Sequence, residues 1–170
     1  MQTCDQKTYL KPLSLDHAEV YAKWTNDPMV NKYTAFHRFT LEQKTEWIKE
    51  KLKSDKEEVL SVFVGENNKL IGTVGIHGLD NKDGVYLLWI VIGEKEYWGN
   101  GYGHDAFSAL INHAFSQRKA KKLVLDVRVE NEVAIKMYQR CGFKITKKIK
   151  KFSERDRVEY DYYYMELMEL

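Results

Sequence analysis

The segment VLSVFVGENNKLIGTVGIHGLDNKDGVYLLWIVIG, residues 59–93, constrains the fold more than any other stretch of the chain. It holds three runs rich in β-branched and aromatic residues, separated by GENNK and LDNKDG. Residues of the first kind fit a pleated, half-buried surface, and Gly, Asn and Asp between them supply the backbone conformations of hairpin turns. The pattern predicts an antiparallel meander with strands at 59–65, 70–77 and 85–92. Such a meander must bury at least one face, so the flanking segments have to provide the cover.

Those segments carry helical patterns. Tyr9–Pro12 is a short first strand, and Ser14 is an N-cap for a helix over about Leu15–Thr25 that Pro28 ends. Thr40 and Gln43 make a capping box before LEQKTEWIKEKLK, where Leu41, Ile48 and Leu52 recur at helical spacing. After Gly103, HDAFSALINHAFSQ aligns Phe107, Leu110, Ile111, Ala114 and Phe115 on one face, and Arg118, Lys119, Lys121 and Lys122 close it where the dipole favours cations. LVLDVRV (123–129) is a strand, and Asn131 caps a helix running to Cys141, with Gly142 as its C′ residue and Phe143 as the contact beyond. KKIKKFSERDR then reads as a solvated turn and VEYDYYYMELM as a long last strand. The order, strand, two helices, three strands, helix, strand, helix, strand, is an α+β layout with a mixed sheet and lacks the strict alternation of a doubly wound domain.

Composition removes several function classes. The 170 residues suit one domain spanning 1–170, since domains run to roughly 100–200 residues. With 27 Lys and Arg against 25 Asp and Glu, the formal charge of +2 is too balanced for a dedicated nucleic-acid binder. No apolar run is long enough to span a membrane and MQTCDQKTYLKPL has no signal-peptide pattern, so neither a membrane nor a secreted protein is expected. Cys4 and Cys141 form no CxxC or Cys/His cluster, which predicts no metal site and suits a reducing cytoplasm.

The sharpest local feature is Tyr97-Trp98-Gly99-Asn100-Gly101-Tyr102-Gly103-His104, between a buried strand and an amphipathic helix. Alternating glycines let the backbone approach a ligand and turn its N–H groups toward an anion at a helix N-terminus; a pyrophosphate is the natural guest, and a plain tight turn is the alternative. A P-loop needs Gly-Lys-Ser/Thr, but Gly103 is followed by His104 and Asp105. The dinucleotide fingerprint G-x-G-x-x-G is also unmet.

YWGNGYGHDA (97–106) and, further on, NEVAIKMYQRCGF (131–143), together with the opening YLKPLSLDHAEVYAKWTNDPMV (9–30), resemble the GNAT superfamily of acyl-CoA-dependent N-acetyltransferases. The likeness is to the branch of ribosomal-protein N-terminal, polyamine and sugar-amine acetyltransferases, and it covers essentially the whole chain. It implies a three-layer α/β/α fold with a mixed, mostly antiparallel sheet of about seven strands flanked by helices. It also implies acetyl-CoA as the acetyl-donor co-substrate. Val91 and Ile92 would offer their backbone to the pantetheine arm, and the amides from Trp98 through Gly99, Asn100, Gly101, Tyr102 and Gly103 to His104 would hold the pyrophosphate. Trp98 stands where many members have Gln or Arg, so backbone donors must carry more of that site. Asn131 would combine N-capping with a hydrogen bond to the pantetheine, and Tyr138 would protonate the departing thiolate; from periodicity alone Tyr138 reads first as a core aromatic, and the motif reverses that preference.

One expected group is missing. Many relatives in this branch carry a strand glutamate in a pattern like Ala-Glu-Ile-Gly, whereas the matching positions here are Tyr86, Leu87, Leu88 and Trp89. The base would then be His77, Asp126, an ordered water or bulk solvent. Acceptor recognition is expected from Trp24, Asn26 and Asp27, from Tyr33 and Phe36, and from Glu159 to Tyr164, with Asp27 and Glu159 drawing a cationic amine and Trp24 and Tyr33 forming apolar walls. Each of these also has a structural reading, Asn-Asp-Pro as a turn and the tyrosines as alternating strand residues. Cys141 sits at a helix C-terminus, an unsuitable place for a reactive thiolate, so direct attack by the amine is expected. The expected activity is transfer to a primary amine, whether a protein N-terminus, a polyamine or an amino sugar; the alternative is a non-catalytic acyl-CoA-binding module, suggested by Leu87. Homodimers are frequent among relatives, and the aromatic tail would offer an edge strand for one.

Overall fold

In the computed structural model, which describes residues 6–34 and 37–169, the meander forms as the sequence predicts. Its strands are β2 (Glu57–Val64), β3 (Leu70–His77) and β4 (Val85–Ile92), and β1 (Thr8–Pro12) extends it along β2. Beyond it lie β5 (Lys122–Arg128), β6 (Lys144–Ser153) and β7 (Val158–Met168). The seven strands form one sheet in the order β1-β2-β3-β4-β5-β7-β6. Only β4 and β5 run parallel, so the sheet is mixed and mostly antiparallel.

Helices α1 (Ala18–Asn26) and α2 (Leu41–Lys53) cover one face; α3 (Tyr102–Ser116) and α4 (Glu132–Arg140) cover the other. The α3/α4 face is the larger core, with Val62, Ile76, Leu88, Phe107, Leu110 and Leu123 fully buried. Alternation along the strands divides the side chains: Leu88, Ile90 and Ile92 point to α3/α4, while Trp89 packs with the α1/α2 cluster. The capping box of α2 is present as predicted, with Thr40 accepting from the Gln43 amide and Gln43 accepting from the Thr40 amide. Residues 15–17 make a 3₁₀ turn before α1, its first amides satisfied by Ser14.

Three expectations change. The aromatic tail is not an edge strand, since β7 lies between β5 and β6. The stretch KKIKKFSERDR is not a turn: 147–153 belong to edge strand β6, and only its end turns. The edge position explains why hydrophobic alternation misses it, since both of its faces carry lysines. Lys148 and Lys150 reach Asp161, Lys151 reaches Asp126, and the Lys147 ammonium lies over the Tyr164 ring. On α2, Leu41 and Leu52 are exposed, and the buried stripe is Lys44 and Ile48. Cys4 and Phe36 lie outside the described residues.

Candidate active site

The β4–β5 ladder contains three pairs, Val85↔Lys122, Tyr86↔Leu123 and Leu87↔Val124, and then stops. From Leu88 on, the two strands part and leave a slot between 88–92 and 125–128. Parallel strands joined by a crossover helix can diverge in this way only where something other than a neighbouring strand satisfies their edges. Val91 and Ile92 lie on the β4 side of the slot and still pair with β3 through Thr73 and Gly72.

The glycine loop stands at the mouth of the slot. Gly99 and Gly101 hold φ values of +75° and +83°, a region costly for any residue with a Cβ, and Gly101 is the N-cap of α3 without a side-chain cap. The first amides of α3 therefore have no partner within the helix and face outward with the positive end of its dipole. The Trp98 amide already donates to the Lys95 carbonyl and its indole N–H donates to the Ile92 carbonyl at 2.8 Å, so Trp98 braces the loop onto β4 and the outward donors begin at Gly99. Asp105 accepts from both the amide and the hydroxyl of Thr8, which fixes the start of α3 against β1. Sequence reading missed Lys7: its ammonium donates to the Asn100 carbonyl at 2.9 Å and lies 5.3 Å from the Tyr102 ring. A lysine 93 residues upstream of the loop gives no local signal.

On the α4 side, Asn131 caps the helix by accepting from the Ala134 amide at 3.4 Å. Its two amide N–H donors are left for another partner. Tyr138 is buried with its ring 5.0 Å from Phe107 and 6.3 Å from Phe143. Burial, followed by the charges of Cys141 and Asp126, raises its pKa well above that of an ordinary phenol, so it keeps its proton at neutral pH. Burial also raises the pKa of Cys141, whose Sγ lies 3.9 Å from Ser108 Oγ.

The opposite face holds a narrow cleft of about 30 Å³, lined by Trp24, Lys44, Trp47, Thr73, Trp89 and Val91 among others. Its walls rest on glycines: a Cβ on Gly75 would sit 2.3 Å from the Trp89 indole, and one on Gly93 would sit 2.0 Å from that of Trp24. Trp24 lines this cleft and is fixed by donating from Nε1 to Glu94 at 2.8 Å. Asp27 is not open toward the cleft. One of its oxygens meets Lys95 at 2.5 Å, the other accepts from the Met29 amide, and the Lys95 contact holds its pKa below the ordinary carboxylate value. Tyr33 is not part of the cleft lining: it lies beside Arg128 and donates to the Glu130 carbonyl at 3.5 Å. Glu159 is exposed on β7 opposite Phe152.

Leu87, where relatives carry the glutamate, is the last residue of β4 paired with β5. His77 pairs with it from β3, has a side chain 60% exposed and lies 3.7 Å from Glu57. His77 therefore stands at the closed end of the slot, one strand away from it on β3, and roughly 17 Å from Gly72 at the open end. Asp126 is brought to the slot: it lies on the diverging part of β5, opposite in face to Leu125 and Val127, and meets Lys151. Among the described residues no three of His, Cys, Asp and Glu come together as a metal site, and no helix is long and apolar enough to cross a membrane.

Comparison with known proteins agrees with this geometry. The family described as "Acetyltransferase (GNAT) domain" matches residues 7–144. An uncharacterized N-acetyltransferase p20 of Bacillus licheniformis is 25% identical over 142 residues, which cover 81% of this chain and 79% of that protein. The spermine/spermidine N(1)-acetyltransferase of Bacillus subtilis strain 168 is 38% identical over 64 residues, 38% of this chain and 42% of the relative. Among solved structures, the spermidine N-acetyltransferase from Vibrio cholerae in complex with CoA and spermine superposes with a TM-score of 0.87 at 18% identity over 96% of each chain. A GNAT-family acetyltransferase from Bacillus anthracis gives 0.84 at 19% identity over 95% of each. At such identities the superpositions establish the fold.

Proposed function

The chain belongs to the GNAT acetyltransferase family and is an acyltransferase; from that premise we propose that it moves the acetyl group of acetyl-CoA to a primary amine by direct attack. The observation that carries this reading is the slot itself, where the β4–β5 ladder ends at Leu87↔Val124. Acetyl-CoA supplies a thioester, an activated acyl group whose departing thiolate needs a proton.

Each part of that task has a group in this chain. The amides of Gly99 to His104 and the Lys7 ammonium suit the diphosphate, by backbone dipoles and one point charge. The parted edge of β4 at 88–92 offers N–H and C=O groups to the amides of pantetheine, in the manner of a third strand. Asn131 Nδ2 is a further donor on the far side of the slot. The Tyr138 O–H donates to the sulfur as the C–S bond breaks, and burial keeps that proton in place until then. Asp126, on the face of β5 opposite to Leu125 and Val127 and paired with Lys151, is the carboxylate we assign to take the proton of the ammonium. Cys141 takes no part: burial raises its pKa, opposite to the need of an acyl-carrying thiolate. A free Cys141 suits a reducing cytoplasm.

Thiol release from acetyl-CoA against polyamines, amino sugars and short peptides with free N-termini tests this. Release with one class is the expected result. Acetyl-CoA binding without release by any amine would instead favour a binding module.

A further inference from the structure

Resting on that reading, we propose that Trp98 is a positioning residue for the coenzyme: by capping the last carbonyl of β4 it sets where the pantetheine arm begins to pair with the strand edge, and so where the sulfur stops. The direction of the backbone groups along β4 follows from one bond. The Gly93 amide donates to the Ile71 carbonyl, one step beyond the Ile92↔Gly72 pair. In an antiparallel ladder this makes Val91 and Trp89 the residues whose N–H and C=O groups turn to β3, and it turns those of Leu88, Ile90 and Ile92 the other way, toward β5 and the slot. The Trp98 indole meets Ile92 on that side, its Nε1 donating to the carbonyl at 2.8 Å.

The same alternation governs the other rim. The Val129 amide donates to the Asp161 carbonyl beyond the Arg128↔Tyr162 pair, so Asp126 and Arg128 present their backbone groups to the slot. Here too the outermost carbonyl is taken, since that of Arg128 accepts from the Asn131 amide at 2.9 Å. Both strand carbonyls at the mouth are thus occupied by the chain's own donors, and what the mouth offers a ligand is N–H groups: the Ile92 amide, the Asn131 side-chain amide and the loop from Gly99 on. An arm coming from the phosphate loop therefore makes its first bond with a carbonyl oxygen, to the Ile92 amide.

Trp98 is held for this task. Its amide donates to the Lys95 carbonyl and its carbonyl accepts from Asn100 Nδ2 at 3.2 Å, so the residue is tied on both sides although it is 39% exposed. The indole also joins the end of β4 to the loop that suits the diphosphate, which fixes the distance between the phosphate seat and the first pairing group. With the Ile92 carbonyl free, a donor of the arm could pair there instead, and a slip of one edge repeat, two residues or roughly 7 Å, would draw the sulfur back from Tyr138.

The test uses Trp98→Phe, which keeps a ring and loses the N–H, and Trp98→Gln, which keeps an N–H donor at similar reach. CoA affinity is taken by calorimetry, and kcat from thiol release at saturating acetyl-CoA with the best amine of the panel. Expected for Trp98→Phe is a fall in kcat of about tenfold or more with CoA affinity within about threefold of wild type, and recovery of most of that loss in Trp98→Gln. An unchanged kcat in Trp98→Phe, an equal loss in both variants, or a fall in CoA affinity with kcat kept overturns the proposal and leaves acetyl transfer standing. Where a variant does not fold, or wild type binds CoA and releases no thiol, a crystal structure of the wild-type CoA complex decides. The Trp98 indole still on the Ile92 carbonyl, with the arm bonded to the Ile92 amide, is the expected result; an indole displaced by the arm overturns the proposal. The indole in place without thiol release by any amine would keep the Trp98 assignment and sink the acetyl-transfer reading.

Discussion

The two faces of the sheet solve different problems. On the α3/α4 face the core is large and apolar, and the groups available for chemistry are backbone amides at a helix start, a parted strand edge and the buried Tyr138 phenol. On the α1/α2 face the core is smaller, and buried Lys44, Ser61 and Thr73 interrupt it. A site made of backbone depends on the fold and tolerates change in side chains. A site made of side chains can be retuned by single substitutions, which suits a constant donor on one face and a variable acceptor on the other.

The strongest test of this contrast is Tyr138→Phe. Ring packing against Phe107 is kept, so acetyl-CoA affinity should change less than twofold while kcat falls by about 100-fold or more, as for loss of a general acid. Unchanged turnover in thiol-release kinetics would remove the acid from the coenzyme face. Next in size is Gly75→Ala, whose Cβ would meet the Trp89 indole at 2.3 Å. Displacing that wall should lower kcat/KM for the acceptor by about tenfold or more while leaving acetyl-CoA binding by calorimetry intact. A parallel loss of coenzyme affinity would show that the faces are not separable.

Lys7→Gln should act on the other side only. Removing one partly exposed cation from the loop is expected to weaken CoA binding by about three- to tenfold at low salt and less at high salt, with the acceptor KM unchanged. The smallest effect is on stability. The folded pKa of Lys44, about 8, lies below its ordinary 10.5, so between those values the unfolded chain binds more protons and stability rises with pH. Denaturant titrations should show wild type gaining about 1–2 kcal/mol relative to Lys44→Met across that window. A flat difference would mean that Lys44 carries no burial penalty.

Legibility in the sequence follows the same division. Strand alternation in 59–93, the capping box at Thr40, the glycine spacing and the Asn131 cap are local patterns, and each appears in the fold where the pattern puts it. Pairings between distant residues leave no such trace. Asp27 is neutralised by Lys95, 68 residues away, and nothing in Asn-Asp-Pro announces that partner. His77 ends a strand of the meander, yet only the register against β4 shows that it stands opposite Leu87, with β4 between it and β5. Lys44 did leave a signal: it falls three residues after Leu41 and four before Ile48, a lysine on the inward stripe of α2. Leu41 and Leu52 drew attention from it by occupying helical spacing on a face that the fold leaves exposed. Gly75 is a similar case, since a glycine inside a strand marks close approach of another group.

The central claim is that CoA lies between β4 and β5, with its phosphates on the α3 N-terminus and its sulfur beside Tyr138. A crystal structure of the CoA complex tests it most directly. The account predicts phosphate oxygens within hydrogen-bond reach of the amides from Gly99 to His104, pantetheine along 88–92, and the sulfur next to the Tyr138 hydroxyl, open toward Val91 and the cleft. Phosphates bound elsewhere, or a sulfur remote from Tyr138, would contradict it.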